Sequence, residues 1–275
     1  MIEETVKPID LTLGQVLPER QVGNSHHASD CLNCATPISE EFCAHCGQKS
    51  TTHRYSIVHF VEHDFVHGVW HVDKGILFTI KELFSRPGHS VREFIQGRRA
   101  KHFSFVTLIL LILTVSTLLA PYLHIKMSDL IPMKTQNVMN SFEEFVTKYP
   151  KIFIVILIPL NSIFSSLWFR KARLNFSEHL VANSYKAAAE LMVGLLFTLL
   201  MIFYTNLKGL SMIYFAIIMP FVFAYGIWFY YQLFTNYGYS KKALFFRSFG
   251  VILSIGVFQA LFGFIWGMFQ MMNVK

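Results

Sequence analysis

The sequence predicts an all-α membrane protein: a five-helix transmembrane bundle, amphipathic juxtamembrane helices and a small N-terminal zinc ribbon. Three observations predict it. Long apolar runs fill the chain after residue 102, and about 20 mostly apolar residues suffice to cross a bilayer. Helix-spaced apolar residues precede them over 54–101. The four cysteines fall as Cys31-x2-Cys34 and Cys43-x2-Cys46, eight residues apart. That is the spacing of a compact tetrahedral metal site. Composition agrees, with 53% hydrophobic and only 15% charged residues, against roughly 25% charged in an average soluble domain.

Residues 1–29 read as a flexible lead-in, with Pro8, Gly14, Pro18 and Gly23 among polar residues. They hold no apolar signal core, so this part is expected in the cytosol. Thiols stay reduced there, and paired CxxC motifs then point to metal more than to disulfides.

Residues 30–50 form the predicted zinc ribbon, with Cys31, Cys34, Cys43 and Cys46 as ligands and zinc as a structural cofactor. Two CxxC turns each present two sulfurs, and the spacer can fold back to join them. A closed set of four ligands is structural, whereas catalytic zinc keeps an open position. Gly47 lets the backbone turn tightly beside a sulfur. Ala35 occupies the matching place in the first turn, which makes that knuckle less ideal. His45 is an alternative ligand inside the second CxxC. A unit this small gets its folding energy from the metal.

Residues 54–101 read as two or three amphipathic juxtamembrane helices, interrupted at Pro87-Gly88. His59, His63, His67 and His71 recur every four residues. Imidazole suits several transition metals and titrates near neutrality. The ladder is thus a candidate second metal or pH site, or simply the polar stripe of a surface helix. Arg92, Arg98, Arg99 and Lys101 stand before the first span and are candidate contacts for lipid headgroups, or orientation signals only.

Residues 102–275 form the predicted membrane domain, with spans near Phe103–Tyr122, Ile152–Phe169, Ala187–Tyr204, Leu210–Phe234 and Phe245–Met271. Pro159 and Pro220 are expected to kink the second and fourth. In the fifth, Ser254-x-Gly256 and Gly263-x3-Gly267 are candidate packing faces. Basic residues flank the first span, the second-to-third loop and the fourth-to-fifth loop. The positive-inside rule then puts the N-terminus in the cytosol and the C-terminus outside. The net charge of +7 fits anionic membrane lipids as partners. Nucleic acid is not expected, because no basic helix carries interleaved aromatics.

No catalytic set stands out. Glu178-His179 could support acid–base chemistry from a cytosolic loop. Asn161 and Glu190 form a candidate intramembrane polar site, since ionisable groups in a span are functional candidates by default. Lys186, one turn before Glu190, could simply pair with it.

Two stretches carry a family resemblance: Phe42-Cys43-Ala44-His45-Cys46-Gly47-Gln48-Lys49, and Asp73-Lys74-Gly75 with Thr79, Leu83, Arg86-Pro87-Gly88, Arg92, Gly97 and Arg99. With these the chain resembles the bacterial membrane family of domain-of-unknown-function 3667, frequent in Bacteroidota. The resemblance implies a cytosolic zinc ribbon on a multi-span domain of the bacterial inner membrane, and no activity. Ala35 stands where family ribbons often have Gly, and a Pro common before the first span is missing at His102-Phe103-Ser104. The leading functional expectation is a non-enzymatic membrane protein whose ribbon docks a protein partner. A transporter or channel for a small solute or metal ion is the alternative, and a lipid-modifying membrane enzyme the third.

Overall fold

A computed structural model of the chain describes residues 29–52, Tyr55, 75–130 and 150–273. The histidine ladder, His59, His63, His67 and His71, lies outside the described residues. The cysteine module holds strands β1 (Ser29–Asp30) and β2 (Pro37–Ile38), paired antiparallel with Ser29 opposite Ile38. A single bridge between Phe42 and Lys49 repeats the arrangement in the second half.

Two short helices follow, α1 (Gly75–Ser85) and α2 (Pro87–Ile95). Pro87 occupies the first turn of α2, where its missing N–H costs nothing. Arg86 at the junction pairs with Glu82 at 2.5 Å and with Glu93 at 3.0 Å, tying the helices together. Leu83, Val91, Phe94 and Ile95 are buried in the main apolar core. The backbone of α2 also lies against the bundle: a Cβ on Gly88 would overlap the main chain of Phe229 and Leu233.

Helix α3 (Phe105–Leu119) is the first apolar run, closed by a 3-10 turn at Ala120–Tyr122 around Pro121. Thr114, Ser116 and Thr117 each donate to the carbonyl four residues back, which satisfies hydroxyls that lipid cannot. Helix α4 (Pro150–Trp168) contains Pro159. Helix α5 (Phe176–Phe203) spans 28 residues and begins eleven residues before the apolar window that marks its span. Asn175 and Glu178 cap it reciprocally, each side chain accepting from the other's amide at 2.8 Å. Its first turns are polar yet buried against neighbouring helices, so they carry no apolar signal.

Helix α6 (Leu207–Ile213) runs through a π stretch at Tyr214–Ile218 into α7 (Met219–Leu233). Pro220 follows two residues after it. A residue without an N–H cannot close the α ladder, and the wider turn lies where that ladder is interrupted. Helix α8 (Lys241–Asn273) ends the described chain.

Four helical stretches among the described residues are long and apolar enough to cross a membrane: Phe105–Tyr122, Phe176–Phe203, Leu207–Leu233 and Lys241–Ile265. Helix α4 is apolar, but its described side chains cover only the shorter stretch Ile156–Trp168. The main core joins α1–α3 to α4, α5, α7 and α8 through residues such as Phe105, Ile158, Tyr185, Phe229 and Val251. A second core of Ile125, Leu130, Phe197, Met201 and Leu210 lies at the opposite end.

Candidate metal centre

The cysteine module is built from two copies of one turn. Ala35 N donates to Cys31 O, and Gly47 N to Cys43 O, both at 2.8 Å. Cys31 N returns to Thr36 O at 2.8 Å and Cys43 N to Gln48 O at 2.9 Å. Both turns need a left-handed residue: Gly47 has φ of +72° and Ala35 has φ of +58°. Ala35 thus adopts the glycine-type conformation despite its methyl group, and the two knuckles match.

The turns bring the four sulfurs to within 4.8 Å of one another. Cys31 Sγ lies 3.6 Å from Cys46 Sγ, and Cys34 Sγ 3.5 Å from Cys43 Sγ. A tetrahedron with metal–sulfur bonds of about 2.3 Å has edges of about 3.8 Å. The four cysteines are all free thiols, and together they could hold a metal ion. Cys31 and Cys43 are buried; His45 is exposed and stands apart from the sulfur cluster. Thr36 sits 3.3 Å from Cys34 Sγ. Its hydroxyl and then its amide draw the Cys34 thiol from 9 down to about 5, against the opposing effect of burial. A thiolate at neutral pH is the form that binds metal.

The centre is clamped to the helices. Gln48, directly after Gly47, is only 6% exposed. Its Nε2 donates to Gly97 O at 2.8 Å and its Oε1 accepts from Arg99 N at 3.1 Å. Gly97 has φ of +103°, and a Cβ there would come within 2.7 Å of Leu32 Cδ1 in the first knuckle. Gln48 carries no functional signal in the sequence beyond its place in the Phe42–Lys49 stretch.

The basic residues before α3 separate into two groups. Arg98 and Lys101 are exposed. Arg92 is 7% exposed and donates to Gln232 O at 2.8 Å and Leu233 O at 3.3 Å. It caps the last carbonyls of α7, a natural seat for a cation, and its guanidinium is turned into the protein. Arg99 lies 3.9 Å over the Tyr55 ring and donates to Phe94 O at 3.2 Å. The loop before α3 also half-buries His102, whose Nε2 lies 2.9 Å from Ser90 Oγ. Burial pushes its pKa down to about 4.

Residues 73–117 match the family described as protein of unknown function (DUF3667). The matched segment covers α1, α2, the Gly97 turn that receives Gln48, and most of α3. The cysteine module lies outside it. No curated protein and no solved structure matches the chain.

A second polar group lies inside the helices. Ser165 Oγ is 2.9 Å from His179 Nδ1, Asn183 Nδ2 donates to Ser165 Oγ at 3.1 Å, and Tyr230 OH donates to Asn183 Oδ1 at 2.6 Å. All four residues are buried. Glu178 and His179 are therefore not a loop pair: one caps α5 and the other belongs to this interior network. Glu190 pairs with Lys186 at 2.5 Å. Asn161 is not brought to them; its Oδ1 is buried with no hydrogen-bond partner among the described residues. Two surface cavities stand out, one against Leu207, Lys208 and Met212, the other between α4 and α8. Neither has Asn161 or Glu190 in its walls.

Proposed function

We propose that this chain is a non-enzymatic, five-span protein of the bacterial inner membrane, with a cytosolic N-terminus, an external C-terminus and a structural zinc ribbon that docks a protein partner. The carrying observation is the Gln48 clamp. It seats a sulfur-lined metal centre on the segment leading into the first span. Metal occupancy then decides whether an ordered head stands on the membrane domain. The donor set of four thiolates suits zinc. Cys31, Cys34, Cys43 and Cys46 would hold the ion, whose contribution is folding energy. Phe42, on the second knuckle, is 53% exposed and offers an aromatic anchor of the kind enriched at interfaces.

The five-span count takes α4 as the second span. Two crossings then precede the loop Arg170–Arg173 and four precede the start of α8, which puts both on the side of the ribbon, as the positive-inside rule requires. The test is metal analysis together with affinity capture from membranes. We expect one zinc per chain, and partners lost with Cys43→Ser and with Phe42→Ala. Unchanged partners in both variants would refute the docking role, and protein purified without chelator but free of zinc would refute the cofactor.

A second reading, a transporter or channel, draws on the partnerless Asn161 Oδ1 and on the π stretch beside Pro220, since interrupted helices line many transport sites. Flux in proteoliposomes that is insensitive to Asn161→Ala and Glu190→Gln would dispose of it.

A further inference from the structure

Helices α4 and α8 run side by side and leave a groove of about 620 Å³ between them. Its walls are apolar: Phe164, Trp168, Phe246, Leu253 and Phe258 among others. The groove extends along α8 from Phe246 to Leu261, about 22 Å at 1.5 Å per residue. That exceeds the roughly 15 Å of one leaflet's hydrocarbon. The Trp168 ring lies flat on α8 because residue 250 is glycine; a Cβ there would come within 2.6 Å of the indole. The indole N–H is satisfied inside the groove by Ser254 Oγ at 3.0 Å. The wall therefore presents hydrocarbon and no free polar atom from Trp168.

The mouth of the groove is different. Two loops meet there, and Tyr239 joins them. Lys171 Nζ donates to Gly238 O at 2.8 Å and lies 5.8 Å from the Tyr239 ring. The Arg247 guanidinium lies 5.2 Å from the same ring and donates to the carbonyl of Trp168. Lys242 is one turn before Phe246 on the same helix face. Segments 169–177 and 234–249 together hold Arg170, Lys171, Arg173, Lys241, Lys242 and Arg247, and not one Asp or Glu. Glu178, next along the chain, is turned inward and buried as the cap of α5, so the charged side chains that these two segments carry at the surface are cationic, and a cationic rim over a hydrocarbon-lined slot is complementary to one kind of molecule.

We propose that the α4–α8 groove binds an anionic phospholipid, with an acyl chain along Trp168, Leu253 and Phe258 and the headgroup phosphate at Lys171, Lys242 and Arg247. The proposal rests on the membrane-spanning reading above. It commits to a lipid and not to free phosphate, because the charge sits over apolar wall. Zwitterionic lipids are selected against: their ammonium group would face the same cations.

The test uses the full chain with Trp70→Phe, Trp228→Phe and Trp266→Phe, so that Trp168 alone fluoresces. The protein is reconstituted in phosphatidylcholine vesicles, and chain-brominated phosphatidylglycerol or phosphatidylcholine is titrated in. Quenching by the anionic lipid is expected to saturate at a mole fraction at least tenfold lower than for the zwitterionic one. Lys171→Gln with Lys242→Gln should raise that fraction by about tenfold or more, each cation near a phosphate being worth about 1 kcal/mol. Arg98→Gln with Lys101→Gln, which removes the same charge elsewhere, should leave it unchanged. Should the first pair fail to fold, Lys242→Gln alone replaces it, with an expected rise of about fivefold. Equal quenching by both lipids would overturn the site while leaving the membrane reading intact. Equal weakening by both charge pairs would overturn it in favour of diffuse surface attraction. Absence of quenching by either lipid would sink the membrane reading and the site with it.

Discussion

The cysteine module and the helical body are held together by opposite means. The module has a core of three buried residues, Cys31, Ile38 and Cys43, two residue-pair strands and a set of backbone turns. Such a unit cannot bury enough apolar surface to order itself, and its four sulfurs fit a metal in place of a core. The body buries aromatic and aliphatic side chains from seven helices and links buried Ser165, His179, Asn183 and Tyr230 in one hydrogen-bonded set. One region is local in sequence and depends on an ion; the other is long-range and depends on packing. They meet at Gln48. Remove the ion and only the first should fail.

That contrast can be broken most sharply by chelation or by Cys43→Ser. Residues 30–50 are expected to become protease-sensitive, with a loss on the order of 10 kcal/mol of metal-linked folding. Helical circular dichroism should stay unchanged; a parallel loss of helix would show that the two regions fold as one. The body has its own trigger in His102. Its folded pKa of about 4 lies below the ordinary 6.5, so the folded state holds His102 neutral. Its contribution is fully present above pH 6.5 and is lost as pH falls towards 4, by about 3 kcal/mol in all. Thermal melts of detergent-solubilised protein across that window should show the loss, and His102→Gln should flatten the slope. An identical slope in the variant would assign acid lability elsewhere.

The junction comes next in size. Gln48→Ala removes two hydrogen bonds from a buried seat and should loosen the module from the body by about 2 kcal/mol. Hydrogen exchange at 97–99 should rise while metal content stays at the wild-type value. Loss of metal in this variant would make Gln48 part of the centre itself. The smallest effect is Ala35→Gly. It relieves a left-handed alanine, which costs about 1 kcal/mol, and should make the module harder to strip of metal by up to about fivefold.

The parts legible in sequence were those whose cause is local. The CxxC pairs announce the sulfur cluster, Pro87 announces the start of α2, and the apolar windows announce α3, α7 and α8. The start of α5 was hidden because Ser177, Glu178, His179, Asn183, Ser184 and Lys186 look like a loop and are buried by partners distant in sequence. The spacing of Asn175 and Glu178 was the readable sign of that helix end. Arg92 could not be told from Arg98 by type, since its partners lie 140 and 141 residues away. Within the metal centre, the ligands were legible and the seat was not, because Gln48 meets Gly97 only across the fold.

The π stretch at Tyr214–Ile218 has a consequence for how this protein tolerates change in length. A wide turn carries one residue more than an α turn. Five residues of the wide turn advance the chain about as far around the axis as four α residues, so deleting one residue there would let the helix close regularly and leave Leu207–Ile213 on nearly its present face against α7. A one-residue deletion in the regular part of α7 would instead turn the two ends by about 100° against each other. Ser211 would then swing away from the Leu130 carbonyl it now reaches at 3.1 Å, and Leu210 would leave the distal core. The wide turn is thus the slack in this helix, and a deletion within it should be felt far less than the same deletion in α7.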